Sequence, residues 1–159
     1  EAREGTFKER ASEFDVLHLA AHALVDDRRP MYSSIVLARK PDEREDGLLE
    51  AREIANMELK ASLVVLSACS TARGAVFEGE GLIGLSRAFA IAGCPRMVAT
   101  QWELDSAAAY RMMVAFHKNL ESNGESVATA LRTAQLALMR QPRYSHPYYW
   151  APFMVLGLP

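Results

Sequence analysis

Cysteine is scarce in this chain of 159 residues, which has two, Cys69 and Cys94. Two thiols close at most one bridge, so a disulfide-stapled scaffold is excluded. The opening Glu1-Ala2-Arg3-Glu4 is polar and mixed in charge, unlike a secretory leader. Both cysteines are therefore expected as free thiols in a reducing, cytoplasmic compartment. Long apolar runs are missing too. Stretches such as Leu63–Leu66 and 153–156 fall far short of the roughly 18 residues that a spanning helix needs, so no membrane partner is expected. Excess charge of one sign is also absent. Eighteen basic against 20 acidic side chains leave a formal charge of −2, which gives no electrostatic basis for binding nucleic acid or an anionic membrane. What remains is 50% hydrophobic and 24% charged, the balance of a globular core, and it excludes disorder, collagen-like sequence and a coiled coil. At this length one domain, 1–159, is expected.

Patterning alternates between strand and helix, which predicts an α/β fold with a mainly parallel sheet flanked by helices. Residues 1–13 are charged and weakly helical. Phe14-Asp15-Val16-Leu17-His18-Leu19-Ala20 predicts a buried strand, and 34–38 a shorter one, followed by a charged loop over 39–46. Residues 50–59 predict a short helix. The continuous apolar run within 62–67 suits a central strand buried on both faces, and a glycine-rich loop over 73–81 follows. Leu82, Leu85, Phe89 and Ala92 recur at helical spacing, with Gly93 placed to cap the end. Arg96–Thr100 predicts another strand. Helices are expected over 106–122 and 125–140, parted by Asn123-Gly124. A last strand over 148–156 is expected at an edge or with an irregular start, because Pro152 cannot donate to a ladder.

In such sheets chemistry gathers beyond the carboxyl ends of the strands. Two reactive side chains sit there: His22 after the first strand and Cys69 after the central one. Leu66-Ser67-Ala68-Cys69-Ser70-Thr71-Ala72-Arg73-Gly74 sets the cysteine where a hydrophobic strand breaks into small residues. These let a substrate backbone approach the sulfur and leave N–H groups free for a developing oxyanion. On position alone, a buried structural thiol accounts for Cys69 equally well. The histidine tips the balance toward function. It precedes Cys69 by 47 residues, close to the roughly 50 that separate the pair in caspases. An imidazole beside the sulfur stabilises a thiolate and later protonates the leaving amine.

Other candidates weigh less. His18-Leu19-Ala20-Ala21-His22 lacks the glutamate of the His-Glu-x-x-His zinc signature and lies in a strand pattern, so no metal site is expected and His18 is taken as a core or supporting residue. Gly79-Glu80-Gly81-Leu82-Ile83-Gly84 fits G-x-G-x-x-G, but a long loop parts it from the preceding strand, which disfavours a dinucleotide site. Cys94 is expected to be structural, His117 a packing residue within a helix, and His146 a loop-orienting residue without a chemical role. Trp102, Glu103 and Asp105 follow a strand, so they either line a pocket on the catalytic rim or, for the two acids, face solvent.

At these residues the sequence resembles the CHAT domain, a family of bacterial relatives of caspases and separases among the cysteine peptidases. The matching parts run in order from about Phe14 to Gly157. They are His18-Leu19-Ala20-Ala21-His22, Asp46-Gly47-Leu48-Leu49, Leu63-Val64-Val65-Leu66-Ser67-Ala68-Cys69, Gly79-Glu80-Gly81-Leu82, Gln101-Trp102 and His146-Pro147-Tyr148-Tyr149-Trp150-Ala151-Pro152-Phe153. The resemblance implies a caspase-like fold and endopeptidase cleavage of a protein or peptide substrate by a dyad of His22 and Cys69. It further implies oxyanion donors in the backbone N–H groups of Ala23 and Cys69, no cofactor, and a basic substrate side chain received by Glu103 or Asp105. Glycine usually follows the histidine in this family. Ala23 does so here, and its added methyl is a candidate to crowd the substrate.

A caspase-like sheet begins with two strands and a helix before the histidine-bearing strand, whereas about 13 residues precede that strand here. The chain is therefore expected to be the latter part of a longer catalytic region, its first strands missing and the free sheet edge open or covered by 1–13. CHAT domains commonly follow helical repeats, which would be partners within the same protein. The competing reading is a catalytically silent interaction module with the same fold.

Overall fold

A computed structural model of the chain describes residues 2–39, 44–67, 80–102 and 105–157. In chain order the elements are helix α1 (Glu4–Arg10), strands β1 (Val16–Leu19), β2 (His22–Leu24), β3 (Ser34–Val36) and β4 (Leu48–Glu50), helix α2 (Ala51–Ile54), strand β5 (Leu63–Leu66), helix α3 (Glu80–Ile91), strand β6 (Arg96–Thr100), helices α4 (Ser106–Asn123) and α5 (Val127–Met139), and strand β7 (Phe153–Gly157). Among the described residues, no helix is long and apolar enough to cross a membrane.

The fold is α/β, with a mixed rather than mainly parallel arrangement. Strands β1, β5 and β6 run parallel in a four-stranded sheet ordered β1-β5-β6-β7, and β7 pairs antiparallel with β6. A second, antiparallel sheet of order β2-β3-β4 stands apart. Residues 34–38 were expected to add a strand to a parallel sheet, and the connections explain why they do not. Strands β2, β3 and β4 are three residues each, and a parallel crossover needs a dozen or more residues between partners.

The central strand behaves as its apolar run predicts. Val64 and Leu66 point to one face of the sheet, and Leu63 and Val65 to the other, all fully buried. One face carries α2, α3 and the small sheet through Ile54, Phe89, Ile35 and Leu49. The other carries α4 and α5 through Met112, Phe116 and Leu131. Strand β1 departs from full burial. It alternates, with Leu17 and Leu19 inside and Val16 and His18 exposed, as suits a strand paired on one side only. Phe7 and Ala11, from the first helical segment, join the core of Leu17 and Leu19.

Helix boundaries follow local chemistry. Asp105 caps α4 by accepting the Ala108 N–H at 2.9 Å, Ser126 caps α5 through Thr129 N–H at 3.2 Å, and Gly124 ends α4 with φ +59°. Helix α2 is shorter than 50–59 predicts. Beyond it, the Leu59 N–H is drawn to the Ala92 carbonyl at 2.7 Å, at the end of α3. Strand β7 starts at Phe153, directly after Pro152, and lies at the edge as expected, while Pro147–Tyr149 forms a 3-10 turn instead. Near α1, Lys8 lies within 2.8 Å of carboxylates on Glu4, Glu45 and Glu53. Burial alone would lower the Lys8 pKa, but the three carboxylates outweigh it and raise it.

Candidate functional site

The parallel pairing of β1 with β5 sets the frame of the site. Leu19 stands opposite Leu66, and the Ser67 N–H donates to the Leu19 carbonyl at 3.0 Å, one residue past the regular ladder. Beyond this rung the two chains leave the sheet at the same end. His22 is the third residue after Leu19, and Cys69 is the third after Leu66. His22 opens β2 with its imidazole exposed. Cys69, Glu103 and the glycine-rich loop up to Gly79 lie outside the described residues.

Both ends of the segment that carries Cys69 are held by the neighbourhood of His22. At one end Ser67 is bonded to β1. At the other, the Gly81 N–H donates to Asp27 Oδ1 at 2.9 Å. Helix α3 packs here so closely that a Cβ on Gly81 would stand 2.2 Å from Val25 Cγ1, and one on Gly84 2.6 Å from the Pro30 carbonyl oxygen. That close approach gives Gly81 and Gly84, the last two glycines of G-x-G-x-x-G, a packing role. Ala23 is 3% exposed and belongs to the core, with its side chain on the opposite face of β2 from His22. Its methyl therefore lies on the face of β2 away from the His22 side chain.

The other face of β1 holds an arrangement that the sequence did not reveal. His18 is no core residue. Its Nε2 lies 3.1 Å from Ser67 Oγ, and its Nδ1 lies 3.1 Å from His117 Nε2 on α4. Although His18 is exposed along one side, the protein displaces part of the water around its ring, and this, followed by the neighbouring His117, lowers its pKa and favours a neutral ring. A hydrogen bond between two ring nitrogens also requires that one of them keep its lone pair. The pair lies 99 residues apart in the chain, and the only sequence signal would have been two histidines on facing elements.

His18 and Ser67 border a cavity of about 320 Å³ at the carboxyl ends of β1, β5 and β6. Its other lining residues are Ala20, Thr100, Ser106, Ala109, Tyr110, Met113 and Phe153. The carboxylate of Asp105 is engaged as the α4 cap. Trp102 sits at the same end of the sheet, its indole N–H donating to the Tyr148 carbonyl at 3.2 Å. His146 Nδ1 accepts the Tyr148 N–H at 3.2 Å, the loop-orienting role expected of it. Cys94 is buried and free, its thiol 3.5 Å from the Arg96 carbonyl, and burial pushes its pKa up. It is a structural thiol.

Compared with protein families, the chain matches the CHAT domain over residues 1–158. Among curated proteins, tetratricopeptide repeat protein 28 of Mus musculus is 34% identical over 110 residues, and the protein of the same name from Homo sapiens 33% over 110 residues. Each alignment takes in 69% of this chain but 4% of the relative, so the chain corresponds to a small part of a much longer protein. Both relatives are mammalian, whereas the resemblance alone pointed to bacteria.

Proposed function

The chain belongs to the CHAT domain family, and from that premise we propose that it is a caspase-like cysteine endopeptidase with His22 and Cys69 as its dyad. The observation that carries the reading is the parallel register of β1 and β5. With Leu19 opposite Leu66, both reactive residues follow their strands by the same three residues, at the end of the sheet where such folds do chemistry. The anchoring of Ser67 to Leu19 and of Gly81 to Asp27 adds support, because it ties both ends of the cysteine segment to the elements on either side of His22.

In this mechanism the Cys69 thiol gives its proton to the His22 imidazole and attacks the scissile carbonyl as a thiolate. The backbone N–H groups of Ala23 and Cys69 receive the negative charge on the oxygen. Imidazolium then protonates the leaving amine as the C–N bond breaks, leaving an acyl-enzyme thioester. A water, deprotonated by His22, attacks the thioester, releases the acid product and restores the thiol. The substrate is a protein or peptide in the cytoplasm, and a helical-repeat region of the same protein presents it, in keeping with the repeats named in the relatives.

The test is thiol-directed labelling of the full-length protein by a peptidyl electrophile, mapped by mass spectrometry. Labelling at Cys69, absent in Cys69→Ala and strongly slowed in His22→Ala, is expected. A protein that resists every such reagent at Cys69 is an interaction module instead.

A further inference from the structure

We propose that His18 and His117 together bind a divalent transition-metal ion of the zinc class, which bridges strand β1 and helix α4. The site uses neither His22 nor Cys69, so it stands independently of the peptidase reading.

Distance is the first argument. The two ring nitrogens that face each other, His18 Nδ1 and His117 Nε2, are 3.1 Å apart. A metal bonded to two imidazole nitrogens at about 2.0–2.1 Å holds them about 2.9 Å apart at a right angle and about 3.3 Å apart at the tetrahedral angle. The observed separation falls between these spans, so neither element has to move for one ion to bind both rings. The ring centroids are 5.1 Å apart, further than the nitrogens, with the planes tilted by 31°. The rings therefore meet through their edges, which places lone pairs between them rather than π-faces.

Support is the second. Strand β1 holds His18 opposite Val65, a fully buried residue of β5. His117 follows Phe116, also fully buried, and the two rings meet edge to face at 5.2 Å. The core thus fixes both positions, and little order is lost when an ion binds. Solvent still reaches both rings, since His18 is exposed in β1 and His117 is half-buried on α4.

The outer nitrogen of His18 is the third. A histidine that ligates a metal through one nitrogen donates its other N–H to a neighbouring oxygen, which fixes the ring. His18 Nε2 has such a neighbour in Ser67 Oγ at 3.1 Å. The ion takes the place of the hydrogen between the two facing nitrogens. That proton moves to the outer nitrogen of its own ring, so both rings stay neutral and His18 donates to Ser67. Two imidazoles suit zinc, copper or nickel, and not magnesium or calcium, which take oxygen ligands. Two protein ligands, where a closed structural site has four, leave room for water and make the ion exchangeable. The carboxylates of Glu4, Glu45 and Glu53 also converge, but they surround the Lys8 ammonium instead. The expectation of no metal site rested on the spacing of His18 and His22 within one stretch of chain, whereas the partner of His18 comes from α4.

The experiment uses full-length protein carrying Cys69→Ala, so that the proposed dyad offers no thiol to the ion. Zn²⁺ binding is measured by equilibrium dialysis, with and without His18→Gln or His117→Gln added. Either substitution is expected to remove one bound Zn²⁺ per chain, and excess Mg²⁺ to displace none. Ser67→Ala should keep that ion but raise its midpoint about 10-fold. Equal stoichiometry in all proteins overturns the proposal, as does loss of the ion with one histidine and not the other. If a variant does not fold, the parent protein decides alone. Cu²⁺ with ascorbate oxidises the histidines that hold the copper, and mass spectrometry locates them. Oxidation of both His18 and His117, suppressed by Zn²⁺, is expected. Oxidation at neither, or at one alone, overturns the site.

Discussion

On one face of the four-stranded sheet, Leu17, Val64 and Met97 share a core with α3, a helix set so close that Gly84 touches the Pro30 turn. On the other face, at the same end of the sheet, His18 and Ser67 border open space beneath α4. One side of the sheet thus carries a helix-to-turn contact with no room for a methyl group at Gly84, and the other has room for a side chain beside His18 and Ser67. Where close packing is met by glycine, the position is held by sterics. Where two histidines satisfy each other beside a void, the position has been left available for something else.

The sharpest way to break that contrast is at the proposed dyad. Cys69→Ala should lower peptide cleavage by about 10⁴–10⁶-fold, and His22→Ala nearly as much, because the two act as one unit. The melting temperature should barely move. Cleavage by Cys69→Ala at even a tenth of the wild-type rate would end the mechanism. If His18→Ala lost activity while His22→Ala kept it, the catalytic imidazole would belong to the open face.

The contrast in packing is tested by paired truncations. Phe89, fully buried on the α3 side, should cost about 3–5 kcal/mol when changed to alanine, and Met113, beside the cavity, about 2 kcal/mol. Denaturant titration of both variants measures the difference. Equal losses would mean that the two faces are packed alike.

The smallest expected effect is on pH. His18 has a folded pKa below the ordinary 6.5, so the folded protein resists protonating it more than the unfolded chain does. The stability this provides is complete above the unfolded value and is lost as pH falls below it. Between pH 7 and 5 the wild type should lose more in Tm than His18→Gln, a difference read by calorimetry at matched pH.

What the sequence made legible follows from how local each signal is. Helices α3, α4 and α5 carry their own periodicity and caps, and β5 and β6 carry continuous apolar runs, so each could be placed without its neighbours. The small sheet could not, since three-residue strands have too few positions to show alternation and take their identity from pairing. His22 and Cys69 stood out because strand ends are visible in one dimension. The contact of His18 with His117 did not, because nothing links residues 99 apart except the fold itself. The glycine pattern at 79–84 misleads in isolation, for Gly81 and Gly84 look like a phosphate cradle until the side chains beside them are seen.

The pairing of β1 with β5 also has a bearing on when the molecule becomes competent. Leu19 and Leu66 are 47 residues apart, so their strands meet only after a long loop has closed, whereas α4 with α5 and β3 with β4 form between near neighbours. Residues that follow these two strands, the proposed dyad among them, can be brought together only once this long loop has closed. A chain still being synthesised, or one that has opened only at this strand pair, holds both reactive residues and keeps them apart.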